Sequence, residues 1–191
     1  MLVLTEKRQG VGWLYLNRPD SLNSLTAELA ADVVEAVAQL EADTEVRVIV
    51  FSGQGRAFCA CGDLASLKAL EQEEDAVAFV QAAGKTSEAL FNCRKPVIAM
   101  VNGVAAGAGF NLALACDLVF AAAGVKFIQS FSNIGLVPDC GGHYFLPRAI
   151  GIWRAKQAMF EALPITAEEG KELGFVNAIY FSFKDTATTE K

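Results

Sequence analysis

The chain has 191 residues, of which 53% are hydrophobic and 20% charged, and its mean hydropathy is positive. These values exclude a disordered chain and predict a compact globular domain with a sizeable core. The formal net charge is -6 and Lys and Arg form no stripe, which leaves nucleic acid no electrostatic footprint to follow.

Five cysteines, at positions 59, 61, 93, 116 and 140, accompany a single histidine and no Cys-x-x-Cys pair. They predict reduced thiols in a cytoplasmic-type compartment and leave a structural zinc site almost nothing to use. The opening MLVLTEKRQG has no basic region ahead of an apolar core, so no signal peptide is expected. The apolar surplus predicts surface buried elsewhere, in an oligomer interface or against a part of the fold that the chain lacks.

Residues 2–4 and 11–16 read as a hairpin across Gln9-Gly10, with Trp13 and Tyr15 alternating. Asn17-Arg18-Pro19-Asp20 breaks that pattern. Ser24 or Thr26 caps the next helix, whose apolar positions Leu29, Val33, Val34, Val37 and Leu40 recur at helical spacing. Residues 46–51 form a buried strand, and a loop follows over 52–56. The run AFCACGDL at 57–64 is then a turn of small residues leading into a helical segment that begins near Asp63. Glu71 to Asp75 reads as a solvated helix face, with Val77, Phe79 and Val80 returning the helix to the core and residues 82–90 continuing it.

Pro96 precedes a short apolar run, 97–101, of the length and composition of a strand buried on both faces. Asn102-Gly103 ends it, residues 103–109 are nearly all Gly and Ala, and a largely buried helix starts at Ala108. The first N–H groups of such a helix lack internal partners, so an anion held by backbone and a ligand-free close packing of strand on helix are both open readings. A membrane helix is disfavoured by Pro96, Asn102, Asn111 and Asp117, and a dinucleotide fingerprint by a missing third glycine. Because the 57–64 run repeats the arrangement, the two strands are expected parallel, with both turns at one edge of the sheet and two sets of N–H groups facing one ligand.

Short strands at 118–121 and 125–128 follow, then an extended loop at 134–142 and a helix from about Tyr144. Thr166-Ala167-Glu168-Glu169 is a capping signal for a helix closed by Gly174, and residues 175–180 read as a last strand. From Lys184 the chain is polar and expected to fray.

AFCACGDL, KPVIAMVNGVAAGAGFNLALACD and FSNIGLVPDCGGHYFLPRAIG, in that order and with the opening LNRPDSLNSL, resemble the crotonase superfamily of enoyl-CoA hydratases and isomerases up to about Asn177. The resemblance implies an α/β fold, a crotonase-like spiral of repeated β-β-α units, spanning residues 1–180 as one core domain. It also implies an acyl-CoA thioester as substrate, with coenzyme A as part of that substrate and no further cofactor or metal. A homo-oligomer (trimer or hexamer) is implied, with neither nucleic acid nor membrane as partner.

By position in these motifs, Gly62 and Ala108 would supply the two backbone N–H groups that hold the thioester oxygen as it becomes an enolate. Ser21, Leu22, Ala60, Cys61, Asp63 and Leu64 fall where the family places CoA. Cys61 stands where the family usually has glycine, which predicts a crowded turn or a strained backbone.

The two glutamates of hydratases correspond here to Asn111 and Phe131, neither of which can take a proton; Asn111 is expected to point at the ligand cavity and Phe131 to form a wall. Asp139 lies where isomerases of the family carry a catalytic acid, and GLVPDCGG is most like the ring-1,2-epoxyphenylacetyl-CoA isomerases and related enoyl-CoA isomerases. A helix cap is the competing reading of Asp139, and His143 reads as a pocket-lining or surface residue. The expectation is therefore an acyl-CoA isomerase, with a hydratase-like lyase or a non-catalytic acyl-CoA-binding protein as alternatives. The family's C-terminal helices have no counterpart in FSFKDTATTEK, so a helical region is expected to be absent and residues 181–191 to form a polar tail.

Overall fold

The computed structural model describes residues 1–181; beyond Phe181, the tail expected over 181–191 lies outside the described residues. β1 (Val3–Arg8) and β2 (Val11–Leu16) form the expected antiparallel hairpin. β1 runs past residues 2–4 because its polar end pairs through main chain alone, Thr5 opposite Leu14 and Arg8 opposite Val11, and so carries no apolar alternation. Thr26 caps α1 (Ala27–Ala42) by accepting from Leu29 N–H at 3.1 Å, and the helix buries Leu29, Val33, Val37 and Leu40.

Three units of two strands and a helix follow. The first is β3 (Val48–Gly53) and β4 (Ala57–Ala60), with the short α2 (Leu64–Lys68) and the long α3 (Glu73–Phe91). The second is β5 (Val97–Val101), β6 (Val104–Ala106) and α4 (Ala108–Leu114). The third is β7 (Leu118–Ala122) and β8 (Lys126–Ile128), then a 3-10 turn (Ser130–Ile134) and α5 (Gly142–Ile150). The chain continues through α6 (Ile152–Glu161), β9 (Ile165–Thr166), α7 (Ala167–Glu172) and β10 (Ala178–Tyr180). In each unit the first strand enters a six-stranded sheet of order β1-β2-β3-β5-β7-β10, and the second enters a four-stranded sheet of order β4-β6-β8-β9.

This layout corrects the sequence reading of the two small-residue runs. They are not turns between a strand and a helix: residues 57–60 and 104–106 are themselves strands, paired in parallel. Alanine and glycine carry no period-two apolar signal, so nothing but the main-chain bonds reveals such strands. The stretch from 95 to 117, for the same reason, is divided among β5, β6 and α4, and among the described residues no helix is long and apolar enough to cross a membrane.

α3 is also corrected. Only Phe79, Ala83, Thr86, Ser87 and Leu90 face the core, while Val77 and Val80 are 47% and 51% exposed. Elsewhere the capping box at Thr166 and Glu169 forms as expected, α5 starts two residues before Tyr144, and β10 is shorter than 175–180.

The core is held by aromatic contacts around the second and third units. Phe110 of α4, Phe127 of β8 and Phe175 meet pairwise at 5.1 to 5.2 Å between ring centres, and Phe51 of β3 meets Phe58 of β4 edge-on at 5.1 Å. Burying a ring of this size is worth about 1.5–3 kcal/mol. α4 sits so close to β4 that a methyl at Gly109 would overlap the Cys59 carbonyl, whereas a methyl at Gly84, inside α3, would meet nothing within 4 Å. Gly109→Ala is expected to destabilise the fold by about 2–4 kcal/mol and Gly84→Ala to stabilise it by about 0.5–1 kcal/mol. Urea midpoints of the two variants, moving in opposite directions, check both.

Candidate active site

β4 and β6 end in register, with Ala60 opposite Ala106, and parallel neighbours lie about 4.8 Å apart. Two residues further on, at the same offset in each strand, come Gly62 and Ala108. Both are buried. The donors beside them are taken: Ala60 N–H bonds to Leu22 O at 3.1 Å, Asp63 N–H to Leu25 O at 2.8 Å and Gly107 N–H to Ile128 O at 2.7 Å. Gly62 N–H and Ala108 N–H have no protein acceptor among the described residues. Two open donors thus stand just past the ends of neighbouring strands, with the Asp63 and Gly107 N–H groups beside them already engaged.

The two loops that carry them touch. Gly107 has φ 50, and a Cβ there would overlap Cys61 Sγ. Cys61 itself has φ 70, the left-handed backbone anticipated for a side chain standing where glycine was expected. Leu67 and a ring edge of Phe79 pack at 3.5 Å from the space above Gly62.

The 18–25 segment fixes this edge. Leu22 and Asn23 are both left-handed, with φ 53 and 56, and Leu25 pairs with Gly62 in an isolated parallel bridge. Asn23 is fully buried. Its Nδ2 donates to Gln54 O at 2.9 Å and Ala57 O at 2.8 Å, and its Oδ1 accepts from Arg18 N–H at 2.8 Å.

Asp63 caps α2, with Oδ1 accepting from Ser66 N–H at 2.9 Å and from Ser66 Oγ at 3.2 Å. Its Oδ2 accepts from Ser24 Oγ at 2.9 Å and from both terminal nitrogens of Arg18 at 3.1 Å. The Ser66 N–H above all, with the Ser24 hydroxyl and the Arg18 guanidinium, holds its carboxyl at about 2 despite burial. Asp63 is therefore engaged by protein on both oxygens and braces the loop of Gly62. Ser21 Oγ donates to Arg18 O at 3.2 Å, Ala60 is half-buried and Leu64 is 54% exposed.

Asp139 is half-buried, and burial pushes its carboxyl above the ordinary range, with the Cys140 thiol working the other way. Its Oδ1 is buried without a hydrogen-bond partner. It is not a helix cap: α5 begins behind Gly141, with no side-chain cap at all. Cys140 and Gly141, at φ 46 and 75, turn the chain sharply after it.

Asn111, one turn into α4, is fully buried and does not point into a cavity; its Nδ2 donates to Asp139 O at 2.8 Å and its Oδ1 accepts from Gln129 Nε2 at 2.7 Å. Phe131 is 1% exposed, and His143 lies exposed on α5. Gln129 and Asn23 escaped the sequence reading, as did the bonds of Arg18 and Ser24 to Asp63. A polar residue between the apolar Ile128 and the Ser130 turn was the available signal for Gln129, and the asparagine within LNRPDSLNSL for Asn23. Cys59, Cys116 and Cys140 are thiols whose ionisation burial opposes, so none is an activated nucleophile. A groove of about 600 Å³ between α6 and α7, with Arg154, Glu161 and Glu169 in its walls, includes none of the residues above.

Residues 6–185 match the family described as Enoyl-CoA hydratase/isomerase. The chain is 39% identical to the 1,2-epoxyphenylacetyl-CoA isomerase of Escherichia coli K12, over 91% of this chain and 68% of that protein. It is 34% identical to a probable peroxisomal enoyl-CoA hydratase 1 of Arabidopsis thaliana, over 94% of this chain and 66% of that protein. The crystal structure of an enoyl-CoA hydratase from Polaromonas sp. JS666 superposes with a TM-score of 0.92 at 34% identity, over 97% of this chain and 73% of that one. The chain spans about two thirds of the length of the two sequence relatives.

The depressed carboxyl of Asp63 stabilises the fold above its ordinary range, near pH 4, and that contribution is lost as pH falls toward about 2. Asp63→Asn should therefore lower the urea midpoint near neutral pH, by an amount equivalent to about 1–3 kcal/mol, with the gap to the parent chain closing as acid is added. Unfolding curves at pH 7 and pH 3 measure the gap.

Proposed function

The chain belongs to the enoyl-CoA hydratase/isomerase family, and from that premise we propose that it isomerises an acyl-CoA thioester through an enolate, with Asp139 as the single acid-base group. The observation that carries this reading is the buried, unpartnered Asp139 carboxylate oxygen, tied through the first turn of α4 to the open N–H of Ala108. The thioester oxygen accepts from Gly62 N–H and Ala108 N–H. A proton on the carbon next to the thioester passes to Asp139, the electron pair of that C–H bond moves onto the oxygen, and the two fixed donors stabilise the charge as it develops. Asp139 then returns the proton further along the acyl chain, so that a double bond moves, or a strained ring opens, with no change in composition.

One carboxylate suffices because nothing is added or lost. Its raised pKa suits both proton transfers, since an ionised carboxylate in an apolar site is a stronger base and its protonated form persists long enough to be a donor. Ser21, Leu22, Ala60, Cys61 and Leu64 border the same edge and would carry the CoA portion, coenzyme A being substrate and no other cofactor being called for. Exposed Trp153 and Phe160, at 78% and 76%, support assembly into a homo-oligomer, trimer or hexamer.

Water addition is the rival reading, supported by the hydratase names among the relatives. Against it stand Asn111 and Phe131, one bonded to protein at both polar atoms and the other apolar, so that neither of these two positions offers a group to activate water.

With a Δ3-enoyl-CoA as substrate, Asp139→Asn should lower kcat by on the order of 10²–10⁴-fold with KM little changed; unchanged turnover overturns the role of Asp139. The parent chain's kcat/KM should rise with pH through an inflection above the ordinary carboxylate range, because the raised pKa of Asp139 keeps the base protonated below it. Hydration of crotonyl-CoA at rates matching the isomerisation would favour the rival.

A further inference from the structure

Asp139 is held by a chain of two buried side-chain amides that reaches back to β8. Gln129, 1% exposed, donates from Nε2 to Asn111 Oδ1 at 2.7 Å, and Asn111 donates from Nδ2 to the Asp139 main-chain carbonyl at 2.8 Å. The direction of this chain follows from chemistry. A carbonyl only accepts, so Asn111 must present its NH2 group to Asp139; its oxygen then faces Gln129, which must present its own NH2 group in turn.

The geometry leaves little room for other arrangements. A methyl at Gly142 would overlap the Asn111 amide, and Gly142 N–H supplies a second bond to Asp139 O at 2.9 Å. The residue before Gln129 braces the other end of the same helical turn: Ile128 O accepts from Gly107 N–H at 2.7 Å, just ahead of Ala108. The end of β8 and the residue after it therefore anchor both ends of the first turn of α4, one by the Ile128 main chain and one by the Gln129 side chain.

We propose that Asn111 and Gln129 are positioning residues that hold Asp139 in one place relative to the Ala108 N–H, by tying its main chain to the helical turn that carries that donor. The inference rests on the reading of Asp139 as the acid-base group, and it moves Asn111 from the ligand cavity to the support of the site. Neither residue touches the reacting atoms. Among the described residues, the titratable groups that face Asp139 are the thiols of Cys140 and Cys59, both kept neutral by burial, and the amide chain reaches Asp139 through its main-chain carbonyl and not through its carboxylate.

The test uses Gln129→Leu, which removes the amide, and Gln129→Glu, which is close to isosteric and can donate to Asn111 Oδ1 only while its introduced carboxyl is protonated. With a Δ3-enoyl-CoA, Gln129→Leu should lose kcat by on the order of tenfold or more while KM stays within about twofold. Gln129→Glu should follow the parent chain at low pH and fall behind it as the introduced carboxyl ionises. Carbon NMR titration of the Asp139 carboxyl, assigned with Asp139→Asn, supplies a readout independent of turnover: in Gln129→Leu its pKa should drop toward the ordinary range as the loosened loop admits water.

An Asp139 titration unchanged in Gln129→Leu, or a Gln129→Glu pH profile parallel to the parent's, overturns the positioning role. If Gln129→Leu does not fold, the Gln129→Glu titration and profile decide alone. Full turnover in Asp139→Asn sinks the catalytic reading instead, while the NMR titration still judges whether the amide chain governs the surroundings of Asp139.

Discussion

The structure depends on the close approach of two backbones, β4 and β6, in a region with almost no side chains. Ala60 pairs with Ala106, Cys61 lies over Gly107, and Gly109 rests on the Cys59 carbonyl. Main-chain bonds between small residues bring the strands together at the spacing of a sheet and leave the Gly62 and Ala108 N–H groups without an acceptor among the described residues just past its end. Larger residues would separate the strands and the donors with them. The price of such a contact is little apolar burial, and the neighbouring clusters of Phe110, Phe127 and Phe175 and of Phe51 and Phe58 offset it.

Backbone strain gathers at the same place. Leu22, Asn23, Cys61 and Cys140 all have positive φ without being glycine, a conformation that costs on the order of 1 kcal/mol or more at each residue. It persists because other interactions over-determine it. Asn23 is tied to three main-chain groups, Leu22 O and Leu25 N–H join the β4 end, and Asp139 O, just before Cys140, takes two donors. The site is thus a set of unfavourable local geometries held by favourable longer-range bonds.

Two aspartates show how environment separates carboxylates of one chemistry. Asp63 receives donors on both oxygens, from the Ser66 N–H, the Ser24 hydroxyl and Arg18, and is held at about 2. Asp139 has a buried oxygen with no partner and is pushed the other way. The first is suited to holding a loop and unsuited to exchanging protons near neutral pH. The second has the properties of an acid-base group, and its fixed point is its carbonyl, which leaves the carboxylate itself free of structural duty.

Much of this was legible in the residues. Helical spacing in α1, the Thr166 and Glu169 capping box and the buried strands β3, β5 and β7 all follow from local periodicity and side-chain chemistry, which act over a few residues and so leave a trace in order. Family likeness in three motifs led to Gly62, Ala108 and Asp139. What the order of residues could not convey was anything that depends on partners far along the chain. Residues 57–60 and 104–106 become strands only because they meet each other; Val77 and Val80 stay exposed because the core is reached by another stripe of α3. Asp63 acquires its structural duty from Arg18 and Ser24, and Asn111 is drawn from a ligand cavity into a bond with Asp139 by Gln129. Sequence alone determined the elements and the residue types available for chemistry. Tertiary structure decided which polar groups are engaged and which are left open, since desolvation and hydrogen bonding are set by neighbours in space.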